Sequence, residues 1–316
     1  MKKIYKYIIV LFLLVLTIQL KAQRDFYISQ NMLHQPFLNP ASIGSYGSLN
    51  GALLYKKQWV NIEGAPEIQA FNVNMPLNDD DDNYIGLSVL HDKIGVNDNF
   101  SLSMSYAYAL KVDRNTKLSF GISAKANILQ SSLLNVKNLQ STKDLSFSKN
   151  LKSHVLPNFR YGMYYYSNKF YIGFVIPELF TNSVLINNDL TTKNEIKFES
   201  KELHYYLSGG YKFEYSNDMN VITSTLLKHV SGSPLQIELN VLLELEEKLG
   251  VGFSYRSSNE FVTILAYKIN DIFKMAYSYD FSFSKLAKYH LGTHEISLIF
   301  NLERQNKFSF ISAPRF

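Results

Sequence analysis

The stretch NFSLSMSYAYAL, residues 99–110, alternates without a break. On an extended strand Leu102, Met104, Tyr106, Tyr108 and Leu110 share one face, while Ser101, Ser103, Ser105, Ala107 and Ala109 share the other. The first face suits lipid and the second a lumen. The next segment repeats the pattern, with Leu118, Phe120, Ile122, Ala124, Ala126 and Ile128 opposite Ser119, Gly121, Ser123, Lys125 and Asn127. Between Leu235 and Leu245 every odd position is Leu, Ile or Val, opposed by Gln236, Glu238, Asn240 and Glu244. A soluble sandwich also alternates, but its strands average about 5 to 6 residues. These run to about 10 or more, the length a tilted strand needs to cross a bilayer.

Carried outward along the chain, the same period predicts strands near 48–58, 66–75, 83–91, 99–111, 116–129, 155–167, 169–177, 201–216, 219–229, 234–246, 249–256, 260–270, 272–284 and 293–303. The fold class is therefore all-β: a transmembrane, antiparallel outer-membrane β-barrel of about 14 strands, an even number as single-chain bacterial barrels require. It occupies 48–316, after an irregular arm at 23–47. With both ends periplasmic, the inner turns are 78–82, 113–115, 167–169, 217–218, 246–248 and 270–271, all short and polar. The outer loops include the long segments 130–154 and 178–200 and the shorter 59–65, 92–98, 230–233 and 285–292. Short turns inside and longer loops outside match the asymmetry of such barrels.

Composition agrees. The 316 residues include 22 Tyr, 22 Phe and one Trp, or 14% aromatic, which suits the interface girdles of a membrane barrel. The net charge of +5 misleads until the charges are placed. Lys2, Lys3, Lys6 and Lys21 take four of the 32 basic residues into the first 22 positions, which hold no acid, leaving 28 basic against 27 acidic. A near-neutral body offers no basic stripe for nucleic acid. Those first 22 residues read as a secretory signal peptide: three lysines, an apolar run from Ile8 to Leu16, then Ala22 as the residue before cleavage. A transmembrane helix would need about 20 apolar residues, and this run is shorter. The absence of cysteine excludes a lipoprotein anchor and a disulfide framework.

Charges fall where a barrel tolerates them. Lys125, Arg160 and Glu238 lie mid-strand on the polar faces, since a cation at the lipid-facing midplane would cost about 2 to 4 kcal/mol. They read as a lumen network that fills and rigidifies the barrel, with a permeation site as the sharper alternative. Signals for chemistry are mostly missing. There is no cysteine nucleophile, G-x-S-x-G elbow, P-loop or dinucleotide fingerprint, so no catalytic residue and no cofactor is expected. His290 and His294 with Glu295 have the spacing of a helical metal pair, but on a strand four residues span about 13 Å, too far to share a metal. The acidic run 79–82 lacks the alternation and glycine of a calcium loop and reads as a solvated turn. His91 with Asp92, and His229 with Ser231, lie near the outer rim without a complete Ser, His and acid set.

The sequence also resembles the PorP/SprF membrane proteins of the Bacteroidetes type IX secretion and gliding system. The resemblance starts in ISQNMLHQPFLNPASIG, with Asn39, Pro40, Ala41 and Gly44, and continues in KKQWVNIEGAPE, with Gln58, Trp59, Gly64, Ala65 and Pro66. GLSVLHDKIGV then supplies Asp92 and Gly95, and PNFRYGMYYY, HYYLSGGYKF, LLKHVSGSPLQIELN, GFSYR (with Arg256) and THEISLIF (with His294 and Glu295) follow in the family's order. Lys57 stands where arginine is common in similar sequences. The resemblance implies a non-enzymatic outer-membrane component that docks or anchors secreted cargo, adhesins ending in a type B C-terminal sorting domain. It implies as partners the outer-membrane lipid, that cargo and other type IX components, the periplasmic ring among them. A passive channel or a carrier for a small apolar ligand is the alternative. Read from the residues alone, the signature positions are structural. Pro40 and Pro66 fix the chain as it enters strands, Gly64 permits a tight outer turn, and Trp59 suits an interfacial anchor. Arg256 ends a strand at the outer rim, within reach of Glu260 or a lipid phosphate, where a snorkelling role is the default.

Overall fold

The computed structural model describes residues 28–78, 80–132, 151–186, 192–199, 203–302 and 313–314. The signal segment 1–22 and most of the expected outer loop 130–154 lie outside them. Among these residues sixteen strands are formed. The first seven are β1 (Leu49–Lys57), β2 (Glu67–Pro76), β3 (Asn83–Ile94), β4 (Asn97–Lys111), β5 (Thr116–Ser131), β6 (Leu151–Ser167) and β7 (Phe170–Ile176). A hairpin follows, β8 (Thr181–Ile186) with β9 (Thr192–Lys197). The last seven are β10 (His204–Ser216), β11 (Met219–Val230), β12 (Gln236–Leu245), β13 (Leu249–Arg256), β14 (Glu260–Lys268), β15 (Phe273–Ser282) and β16 (Thr293–Leu302).

Fourteen of these close an antiparallel barrel in which every strand pairs with its chain neighbour, except where β7 meets β10 and β1 meets β16. Closure runs from Leu49 opposite Leu302 to Lys57 opposite His294, so no barrel edge is left to hydrogen-bond with lipid. The alternation that defines the strands sets their faces. Met104 is 67% exposed, with Leu102, Tyr106, Tyr108 and Leu110 also facing outward, whereas Ala107 is fully buried with Ser101 and Ala109 beside it. Small inward residues leave room inside the barrel for the chain's own N-terminal segment.

All fourteen expected barrel strands form, with boundaries moved by a few residues. Two expectations about connections change. The loop 92–98 shrinks to Gly95–Val96, because β3 and β4 pair as far as Ile94 opposite Asn97, and Gly95 turns the chain at φ 59°. Within 178–200 the chain folds back on itself as β8–β9, a separate two-stranded sheet, while β7 and β10 pair without it from Tyr206 opposite Val175 to Tyr211 opposite Phe170. One end of the barrel carries only short connections, such as Asn168–Lys169 and Asn217–Asp218, and the other carries the hairpin and the longer loops.

The arm, expected to be irregular, is an ordered plug. Its described part holds α1 (Gln35–Leu38) and a 3-10 helix (Pro40–Ser45), and residues 28–44 are all buried within the lumen. Pro40 therefore opens a helix, where its fixed φ and missing N–H fit the first turn, and does not lead into a strand. Pro66 does directly precede β2, and its carbonyl accepts a bond from Gln58 N–H at 2.9 Å.

Candidate functional site

The site is the arm and the wall that grips it. Near the long-loop end, Ser29 and Gln30 donate backbone N–H bonds to the two carboxylate oxygens of Glu295, at 2.7 and 2.9 Å. Ser29 Oγ donates to Asp280 at 2.5 Å and accepts from Lys56 Nζ at 2.7 Å. Asn31 Nδ2 donates to Glu238 at 2.5 Å. Behind these contacts runs a buried charge network. Lys56 lies 3.5 Å from Asp280 and 3.6 Å from Glu295, and Arg256 lies 3.1 Å from each of Glu238, Asp280 and Glu260. Such a network is worth having only when each charge is answered, and removing one partner typically costs about 3–5 kcal/mol.

Toward the middle of the lumen the grip passes to backbone groups. Asn39 accepts from Ala41 N–H at 2.9 Å and so caps the 3-10 helix, while its Nδ2 donates to the carbonyls of Met163 and Phe174 at 3.0 and 3.2 Å. One side chain thus ties the arm to both β6 and β7. The close approach requires bare wall. A Cβ at Gly121 would collide with the Ala41 backbone, and one at Gly162 with the Asn39 side chain. Arg160 Nη1 donates to Phe37 carbonyl oxygen at 2.7 Å, and Tyr166 hydroxyl to that of Gly44 at 2.5 Å. Apolar contacts fill the rest: Ile28 and Phe37 against Leu54, Ile68 and Ala70, and Ile43 against Tyr84, Ala107 and Ala109. Below the plug, at the short-turn end, a cavity of about 510 Å³ remains.

The three mid-strand charges have separate surroundings. Glu238 joins the buried network, Arg160 holds the arm, and Lys125 pairs with Glu178 at 2.8 Å on the long-loop side. Arg256 corrects the sequence reading. It is 2% exposed and points into the lumen, where three carboxylates surround it, so it neither snorkels nor meets lipid phosphate; the expected contact with Glu260 is one of the three. The inward parity of β13 puts it there, since Ser254 and Gly252 occupy the same face. His294 and Glu295 leave β16 on opposite faces: Tyr277 hydroxyl lies 2.7 Å from His294 Nδ1 outside, and Glu295 is fully buried inside. His290 Nδ1 accepts from Gly292 N–H at 2.8 Å, so the two histidines and Glu295 do not converge.

The other signature residues sit in the long-loop rim. Gly64 adopts φ 73° and its carbonyl accepts from Gly95 N–H at 2.8 Å, which knits two outer turns together. Trp59 donates its backbone N–H to Thr293 Oγ1 at 3.2 Å and has its ring 6.5 Å from that of His290. His91 pairs with Asp98 at 2.8 Å, and half-buried Asp92 lies beside it. Sequence reasoning missed Lys56, Asp280, Gly121 and Gly162. Strand parity places all four inward, but their partner in each case is the arm or a residue held by it.

A closed fourteen-stranded barrel with lipid-compatible outer faces and an ordered plug defines an outer-membrane β-barrel protein. Residues 20–300 match the family model described as Type IX secretion system membrane protein PorP/SprF, and the chain belongs to that family. It is a type IX secretion component of the outer membrane, associated with other components of that system. Comparison with curated proteins finds no match. Among solved structures, the fold is similar to the CymD monoaromatic hydrocarbon channel, at 11% identity and a TM-score of 0.50 over 90% of this chain and 96% of that one. It is also similar to Omp33 of Acinetobacter baumannii, at 9% identity and a TM-score of 0.47 over 82% of this chain and 100% of that one. The toluene transporter TodX of P. putida gives 8% identity and a TM-score of 0.47 over 89% and 95%.

Proposed function

We propose that this protein works without catalysis, as a docking platform that holds secreted cargo at the cell surface. The observation that carries the reading is the seated arm. With residues 28–44 buried in the lumen and fixed to the wall beside a charge network, the arm occupies the bore that a polypeptide would need. The surface left for a partner is the long-loop rim. There the hairpin β8–β9 stands outside the barrel sheet with Ile196 exposed and Phe198 exposed just after it, and the segment 130–154 leaves from the same end. The cargo of this reading is an adhesin with a type B C-terminal sorting domain. The first 22 residues act as an export signal removed after Ala22.

Deleting 133–150 and replacing 181–197 with a short linker, separately and together, tests the reading. Barrel insertion is checked by heat-modifiable gel mobility, and surface retention of a sorting-domain cargo is then assayed. Loss of retention with intact barrels is expected; full retention in the double variant would sink the docking idea. A channel or carrier for a small apolar ligand has the plug against it.

A further inference from the structure

The cavity at the short-turn end belongs neither to the charge network nor to the rim. Its roof is the arm, through Met32, Leu33 and His34, and at the short-turn end it is lined by Asn168, Asn270 and the C-terminal Ala313 and Pro314. At about 510 Å³ it falls within the range of small-molecule sites. Three lysines on strands β10, β14 and β15, Lys212, Lys268 and Lys274, line it from the inward faces, where Glu244 on β12 is the lining acid. Two lysines are already answered: Lys212 lies 3.9 Å from Glu244, and Lys268 lies 2.9 Å from Asp271. Asp271 and Glu247, the other acids of the mouth, stand on exposed turns. Lys274 makes no ion pair or hydrogen bond among the described residues.

A second group points the same way. His34 is 1% exposed, lines the cavity, and has no partner for its Nε2. In its neutral form the imidazole carries a single N–H. An ammonium that shares the one inward acid, Glu244, with Lys212 and a ring nitrogen with no hydrogen-bond partner thus line the same cavity as the apolar surface of Met32, Leu33 and Ile299. We propose that this cavity binds a small organic carboxylate entering from the short-turn side, with its carboxylate on Lys274 and His34 and its body against Met32, Leu33 and Ile299. The carboxylate supplies the direct ion pair that Lys274 lacks among the described residues, and a neutral amide of the same shape does not. The site lies at the opposite end of the lumen from the proposed cargo surface, so either reading can fail alone.

The test uses the full purified chain in amphipol and fluorine NMR of 4-fluorobenzoate, with 4-fluorobenzamide as the neutral isostere. The acid is expected to bind at least about tenfold more tightly than the amide, the size of one charge-assisted contact. Lys274→Met should weaken the acid about tenfold and leave the amide unchanged, while Lys274→Arg retains binding. Equal binding of acid and amide, or unchanged acid binding in Lys274→Met, overturns the proposal. So does the absence of saturable acid binding up to ~10 mM, beyond which any site would be too weak to matter. If Lys274→Met does not fold, as judged by heat-modifiable mobility, the acid against amide comparison on the native chain and on Lys274→Arg decides.

Discussion

Glu295 accepts two backbone N–H bonds from the arm while its charge is answered by Lys56 at 3.6 Å, so one carboxylate both orients the arm and closes the buried network. Glu295→Gln keeps the shape and removes one of the two carboxylate charges described beside Lys56. The arm's seat is expected to weaken by about 3–5 kcal/mol. Amide exchange at Ser29 and Gln30 should then quicken steeply while exchange in β12–β15 stays slow; unchanged protection of the two arm amides would refute the role. Gly162 makes the complementary case. Its missing side chain is the space that Asn39 fills, so Gly162→Ala is expected to cost about 1–3 kcal/mol as overpacking, read as a lower Tm of an otherwise closed barrel. At the exposed short turns the electrostatics are weaker. The Lys268 ammonium, by hydrogen bond and charge, holds Asp271 below the usual carboxylate range. Its contribution is present at neutral pH and fades as pH falls through that range. Because the aspartate is solvent-exposed, Asp271→Asn should leave Tm nearly unmoved at pH 7.

Among the elements, the hairpin β8–β9 and the barrel strands that flank it are separable. β7 pairs directly with β10 over six residue positions, and the corner is also tied by Asn158, whose side chain bonds the backbone of Leu179 and Phe180. Replacing Thr181–Lys197 with a short linker removes no barrel pairing. The variant should insert and show native heat-modifiable mobility, with a Tm change no larger than that of an ordinary loop edit; failure to insert would make the hairpin part of the barrel's own stability. The hairpin escaped the sequence reading because its strands are six residues each, too short to stand out from a loop when alternation is the signal. The fourteen barrel strands were legible for the opposite reason. Many pair over ten or more positions, and a hydrophobic face sustained that long has few alternative meanings.

For the whole molecule, the plug is expected to decide permeability. In planar bilayers the intact protein is expected to show little steady conductance, because the arm crosses the lumen from Ser29 beside Glu295 to Gly44 beside Tyr166. A chain lacking residues 28–44 should conduct at least about tenfold more, as an unfilled barrel of this size does. Equal conductance of the two would mean that the arm leaves the lumen in a membrane. The same measurement separates the docking platform from the channel reading at the level of the assembled protein.

The barrel is legible in the sequence: about fourteen strands, their inward and outward faces, and the short polar turns. Those features are local. Alternation is written into consecutive residues, and parity carries it along a strand without reference to anything distant. Only the tertiary structure decided that the lumen is filled, what fills it, and that Arg256 faces three carboxylates and no lipid. The reason is sequence separation. Ser29 meets Glu295 across 266 positions and Asn31 meets Glu238 across 207, and the arm shows no periodicity that points to either. A buried carboxylate and the backbone N–H groups that satisfy it become partners only when closure of β1 on β16 brings them to one depth in the barrel.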